Sequence, residues 1–202
     1  MNAQRLAATA LVVFALAACS VGQPMPTATT YGVEPPLPPA AVTRRPETLR
    51  MGEVRVAPAF SGNALVYRLG DVRYTADFYN AFIAEPGALL GTKIAQWLER
   101  AGPFRVVNQP GNPVPASFAL EGTVTELYGD FRPGRAPSAV MTIQFTLVDL
   151  RGIKPTPALE RSIGRRVELA QDSPEALVRG YGEALGHILT ELAPQLADAS
   201  AR

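Results

Sequence analysis

The chain is poor in the residues that most often carry chemistry. It has one cysteine, Cys19, and one histidine, His187. A single thiol excludes an internal disulfide framework, and one Cys with one His cannot supply a structural zinc site. Lysine is almost absent, at Lys93 and Lys154 only, so the basic charge is arginine. The formal net charge is +1, too small for the broad basic field that nucleic-acid binding needs. No G-x-x-x-x-G-K-[ST] loop or dinucleotide fingerprint occurs. No apolar run reaches membrane-spanning length: the longest, Leu6 to Ala15, is that of a signal-peptide core. What the chain has is an apolar fraction of 47%, ordinary for a globular protein.

The amino terminus reads as an address. Arg5 supplies positive charge, Leu6–Ala15 the apolar core, and Leu16-Ala17-Ala18-Cys19 follows directly. Small residues before a cysteine at this spacing form a lipobox, with cleavage between Ala18 and Cys19 and acyl chains on the Cys19 sulfur. Each buried CH₂ of those chains contributes about 0.8 kcal/mol to anchoring. Ser20 rather than Asp follows the cysteine, which favours the outer membrane, facing the periplasm. Residues 1–18 are therefore expected to be a signal peptide and 19–48 a lipidated tether. Between Ser20 and Thr48 stand seven prolines, at 24, 26, 35, 36, 38, 39 and 46. Such a stretch predicts an extended spacer, reaching at most roughly 90 Å at about 3.1 Å per residue.

Residues 49–198 read as one domain. Leu49–Phe60 alternates as a strand. Leu65–Leu69 and Tyr74–Phe78 alternate on either side of Gly70-Asp71, a turn pair, and predict a hairpin. Pro86 opens a helix whose apolar face is Leu90, Ile94, Trp97, Leu98 and Ala101, stopped by Gly102-Pro103. Phe104–Val107 restarts a strand. Three alternating runs, Phe118–Glu126, Ala139–Leu147 and Leu159–Leu169, predict an antiparallel meander. Ser173-Pro174-Glu175 caps a last helix with the stripe Leu177, Tyr181, Leu185, Ile188, Leu192 and Leu196. The fold class is α/β: a mixed, largely antiparallel sheet packed by two main helices.

Catalytic constellations are hard to assemble. His187 falls off the last helix's apolar stripe, on its wet face. Asp71 and Asp77 flank the hairpin, and Glu121 and Glu126 alternate onto opposite strand faces, so no carboxylate pair converges. Arg161, Arg165 and Arg166 read as the wet face of an edge strand or as a contact for an anionic headgroup or acidic partner. The chain is read as a non-enzyme without cofactor or metal. Five of its fifteen aromatic side chains lie between Tyr67 and Phe82. Core packing accounts for Tyr67, Tyr74 and Phe78 on one strand face, with Tyr79 and Phe82 capping the sheet. The alternative is a docking surface made of Tyr67, Arg68, Tyr74, Phe78, Tyr79 and Phe82.

These features resemble the ABC-type transport auxiliary lipoproteins, the PqiC-like group. The resemblance is carried by the lipobox, the proline-rich leader, V-R-V-A-P at Val54–Pro58 and L-V-Y-R at Leu65–Arg68. Tyr74, the Phe78-Tyr79 pair, Pro86, Leu90 and A-G-P-F-R-V-V at Ala101–Val107 extend it. It implies a non-catalytic envelope subunit, partnered by an ABC permease, its ATPase and an MCE-domain protein, moving phospholipid or other apolar solutes between the two membranes. Self-association is compatible with it. Other expectations to weigh are a lipid-binding carrier and a structural, cell-wall-associated lipoprotein.

Overall fold

The computed structural model describes residues 27–201, apart from 39, 42, 43, 112 and 113. The lipobox, with Ala18 and Cys19, lies outside the described residues. Along the chain come β1 (Thr29–Tyr31), β2 (Arg45–Val56), a 3-10 turn (Pro58–Phe60), β3 (Ala64–Arg68) and β4 (Tyr74–Phe82). Then follow α1 (Pro86–Ala101), β5 (Phe104–Asn108), β6 (Phe118–Asp130), β7 (Ser138–Asp149), β8 (Thr156–Glu168) and α2 (Pro174–Ser200).

All eight strands form one sheet around β6. One edge of β6 pairs antiparallel with β7 over its whole length, and β7 pairs likewise with β8, giving the predicted meander. The other edge is shared. β2 runs parallel to Phe118–Val124, and β3 runs parallel to its far end at Gly129 and Asp130. β5 lies parallel outside β2, while β4 pairs antiparallel with β3 and carries β1 parallel on its outer side. The two longest ladders are antiparallel and the four parallel ones are short, so the sheet is mixed and largely antiparallel.

Both helices cover the same face, α1 over β2 and β5, α2 over β7 and β8. On α1, Leu90, Ile94, Trp97 and Leu98 are buried, and the Gly102 N–H closes the helix on the Leu98 carbonyl at 2.8 Å. Gly87 lets that helix reach β2: a Cβ there would stand 2.3 Å from the Val54 carbonyl oxygen. On α2 the whole predicted stripe is buried, and the Ser173 hydroxyl caps the Ala176 N–H at 3.2 Å. These side chains meet Leu120, Val124, Met141, Ile143, Phe145 and Leu147 from the sheet in one core. No helix of the described residues covers the opposite face, which presents residues such as Arg55, Glu121, Gln144 and Ser162.

Two boundaries differ from expectation. The first domain strand begins at Arg45 and ends at Val56, with Pro46 at an irregularity in its ladder with β5, where a missing N–H is tolerated. The spacer expected over 19–48 differs more, because among the described residues β1 already lies at Thr29–Tyr31. After β1, Val33 and Pro35 are buried and the chain runs along α1. Trp97 Nε1 donates to the Pro36 carbonyl at 3.1 Å, Arg100 Nε donates to Pro38 at 3.2 Å, and Lys93 pairs with Glu34. The spacing has a geometric reason. An extended proline-rich segment rises about 3.1 Å per residue, twice the 1.5 Å of a helix, so two of its residues match about four on α1. The other wall is α2, where Gly182 and Gly186 leave room: a Cβ on Gly182 would sit 2.4 Å from the Glu34 carbonyl oxygen. Residues 33–38 are thus a strap laid between the helices.

Candidate functional site

The β3–β4 hairpin does not place its aromatics on one core face. Its ladder pairs Val66 with Ala76, Tyr67 with Thr75 and Arg68 with Tyr74, then jumps to Ala64 with Ala81. The extra residues of β4, Asp77 to Asn80, form a bulge opposite Leu65. Asp77 builds it: its Oδ1 accepts the Tyr79 and Asn80 backbone N–H groups at 2.8 and 3.0 Å. Its Oδ2 accepts the Tyr67 hydroxyl at 2.6 Å and the Asn80 side-chain amide at 2.9 Å, and Asn80 in turn accepts the Tyr31 hydroxyl. Burial pushes the Asp77 carboxyl up, but the hydrogen bonds from Tyr67, Tyr79 and Asn80 outweigh it and hold the group below the ordinary aspartate range. Burial and the same carboxylate push the Tyr67 hydroxyl well above the usual phenol range.

The bulge turns this carboxylate inward and leaves Phe78 and Tyr79 outward. Phe78 is 88% exposed and packs edge-on against the half-exposed Tyr79, with ring centroids 5.0 Å apart. Val72, in the β3–β4 turn, and Ile83, after the end of β4, are also exposed. β1 pairs only with Asn80–Phe82, so among the described residues no strand covers the outer edge of Tyr74–Tyr79. Unpaired strand edges with apolar side chains are unusual unless something docks there.

Tyr74 and Arg68 lie on the opposite, helix-free face of the sheet. Tyr74 packs edge-on against Tyr128 at 5.5 Å and near Phe60 at 6.3 Å, and the Arg68 guanidinium stands 5.5 Å from the Tyr74 ring. Beside this cluster, buried Asp130 is held by Arg132 at 2.7 Å and Arg166 at 2.9 Å, and Arg132 also reaches Asp71. The hydrogen bond from Arg132 holds the Asp130 carboxyl far below its usual range.

The six predicted docking residues therefore separate. Phe78 and Tyr79 share the bulge crest, and Arg68 and Tyr74 share the open face. Tyr67 is half-buried on the helix side, edge-on to Phe131, where it supports the bulge. Phe82 is a correction: it is 4% exposed, packed beside Tyr181 in the core, and is no docking residue. The core arrangement read for Tyr67, Tyr74 and Phe78 fails too: the hairpin register pairs Tyr67 with Thr75 and Arg68 with Tyr74, which puts the two tyrosines on opposite faces, and the bulge carries Phe78 outward. The arginine cluster also divides. Arg161 and Arg165 reach Gln195 and Glu191 on α2, whereas Arg166 crosses to Asp130 on the other face. The exposure of Val72 and Ile83 has no counterpart in the sequence reading, and Asp77, read there only as an acid flanking the hairpin, builds the bulge. An Asp inside an otherwise alternating strand, followed by Asn80, was the available signal.

His187 is exposed on α2. Among the described residues no group of His, Cys, Asp and Glu is placed to hold a metal, and no helix is long and apolar enough to cross a membrane.

Comparison with known proteins agrees with this architecture. Protein XCC0632 from Xanthomonas campestris, of the family DUF330, superposes with a TM-score of 0.75 at 14% identity, over 86% of this chain and 97% of its own. A second solved chain, described as an uncharacterized protein, gives 0.65 at 19% identity, over 84% and 99%. The hypothetical protein CT253 from Chlamydia trachomatis gives 0.51 at 12% identity, over 76% and 95%. At these identities the likeness is one of fold. No curated protein matches the chain at a significant level. A family model matches residues 31–193, from the end of β1 into the last turns of α2, and the chain belongs to the ABC-type transport auxiliary lipoprotein components.

Proposed function

We propose that this protein is a non-catalytic subunit of an ABC transport system. In this reading it is held by lipid on Cys19 at the outer membrane, facing the periplasm. It docks an MCE-domain assembly that, with a permease and an ATPase, moves lipids or other apolar solutes between the membranes. The observation that carries the reading is the open sheet face. This chain of the transport auxiliary family presents there an aromatic–arginine cluster in which Phe60, Arg68 and Tyr74 are partly exposed and rest on the buried Tyr128, beside the Asp130 ion-pair network. Aromatic and arginine side chains are the ones most enriched at the energetic centres of protein interfaces. Arg68 and Tyr74 are thus the proposed partner-docking residues. The strap favours docking over a carrier role, since it occupies the crevice between the helices in which an acyl chain would lie.

Affinity capture of the full-length lipoprotein from detergent-solubilised membranes tests the reading. Co-purification of permease, ATPase and MCE subunits is the expected result. Their reproducible absence would count against it.

A further inference from the structure

The bulge crest lies beside the strand through which the described chain enters the fold. Thr29 is the register partner of Asn80, so the chain enters the fold directly beside Phe78 and Tyr79. Only nine residues, Ser20 to Ala28, separate that point from Cys19. Fully extended, this connector spans at most roughly 35 Å. A domain of this length has a radius of gyration of about 16 Å, and so a width of about 40 Å. With the strap locked against α1, the spacer that would have let the domain stand well off the bilayer is used up inside the fold. We propose that Phe78 and Tyr79 form a membrane-resting surface that inserts into the interfacial region of the bilayer carrying the anchor.

Three observations favour lipid as the occupant. The connector length keeps the crest at a high effective concentration near the bilayer, so even a weak apolar contact is populated. The crest is apolar where it protrudes, because Asp77 spends its charge on Tyr67, Asn80 and backbone N–H groups. A phenyl and a phenol ring side by side match the headgroup boundary, where aromatic side chains with one polar end concentrate. This inference rests on lipidation of Cys19, but not on the identity of the protein partner, whose proposed surface is the open face around Arg68 and Tyr74.

The test uses the full-length, lipidated chain in vesicles of phosphatidylethanolamine and phosphatidylglycerol with brominated acyl chains. Phe78→Trp and Ile153→Trp are compared. Ile153 is fully exposed in the β7–β8 turn, at the opposite end of the long ladders, and the native Trp97 is buried and common to both. Emission from Phe78→Trp is expected to shift to the blue and to be quenched several-fold more than that from Ile153→Trp. Equal quenching at the two sites overturns the proposal. Quenching at residue 78 that needs added transport subunits also overturns it and makes the crest a protein contact. On the unsubstituted lipidated chain, amide exchange of residues 74–83 is expected to slow in vesicles relative to a Cys19→Ser form, and identical exchange overturns the proposal independently. A chain found without lipid overturns it too, while leaving capture by the open face to be judged by pull-down.

Discussion

The strap at residues 33–38 and the bulge at residues 77–80 are both irregular backbone, yet they end up on opposite terms with the rest of the protein. The strap is rich in proline, so it offers carbonyls and few N–H groups, and the donors it needs stand on α1 at Lys93, Trp97 and Arg100. It is therefore drawn in, and the glycines of α2 let it settle. The bulge satisfies its N–H groups from its own Asp77. Tyr67 and Tyr31 add hydrogen bonds to Asp77 and Asn80, but Phe78 and Tyr79 are left outward. The source of the hydrogen-bond partners, more than the hydrophobicity of the segment, decides which one is buried.

The sharpest way to break this contrast is to close the strap's groove. Gly182→Val would force a side chain into the Glu34 carbonyl, and overpacking of this kind costs about 1–3 kcal/mol, occasionally more. Calorimetry should show a clear loss of melting temperature, with new protease cleavage near residues 33–38. Gly62→Ala, where nothing lies within 4 Å of the added carbon, should leave the melting temperature nearly unchanged.

Asp77→Ala is the matching test of the bulge. It removes the acceptor of four hydrogen bonds at once, each net contribution being modest, and an overall loss of about 1–3 kcal/mol is expected in denaturant unfolding. The carboxylate also sets a pH dependence. Asp77 and Asp130 both lie below the ordinary aspartate range in the folded state. Their contribution is present in full above the unfolded value of about 3.9 and is lost as the pH falls through the lower folded values. Acid unfolding of Asp77→Asn should consequently be less steep than that of the parent chain.

Smaller effects sharpen the picture. Trp97→Phe keeps the buried ring but deletes the bond to Pro36, for an expected loss of about 0.5–1.5 kcal/mol by chemical denaturation. Phe78→Ala, at an 88% exposed side chain that packs against Tyr79, should change stability by no more than about 0.5 kcal/mol. Tyr67→Ala should instead lower the melting temperature appreciably, because Tyr67 supports both Asp77 and Phe131.

The elements of the fold were legible where one face is buried continuously. Leu90, Ile94, Trp97 and Leu98 on α1 and the Leu177–Leu196 stripe on α2 follow their period, as do the meander strands apart from a bulge in β6 between Val124 and Glu126, which brings Glu126 to the same face as Glu121. The strap was not, because seven prolines exclude helix and central strand but say nothing about whether an extended segment has donors waiting for it. Gly182 and Gly186, four residues apart beside an apolar stripe, were the trace it left in the sequence. The hairpin was legible as a hairpin, but alternation past Asp77 put Phe78 on a core face with Tyr67 and Tyr74 and left Phe82 with Tyr79 as a cap on the sheet. A bulge of residues 77–80 puts Phe78 outside and Phe82 in the core, and alternation carries no information about bulges.

The most direct measurement is quantitative capture of transport subunits by the lipidated parent chain and by an Arg68→Ala/Tyr74→Ala double variant, with melting temperatures recorded alongside. The account predicts that the parent retains permease and MCE subunits and that the variant loses most of them with little change in melting temperature. Equal capture by both, or a parent chain that retains no transport subunit, would contradict it.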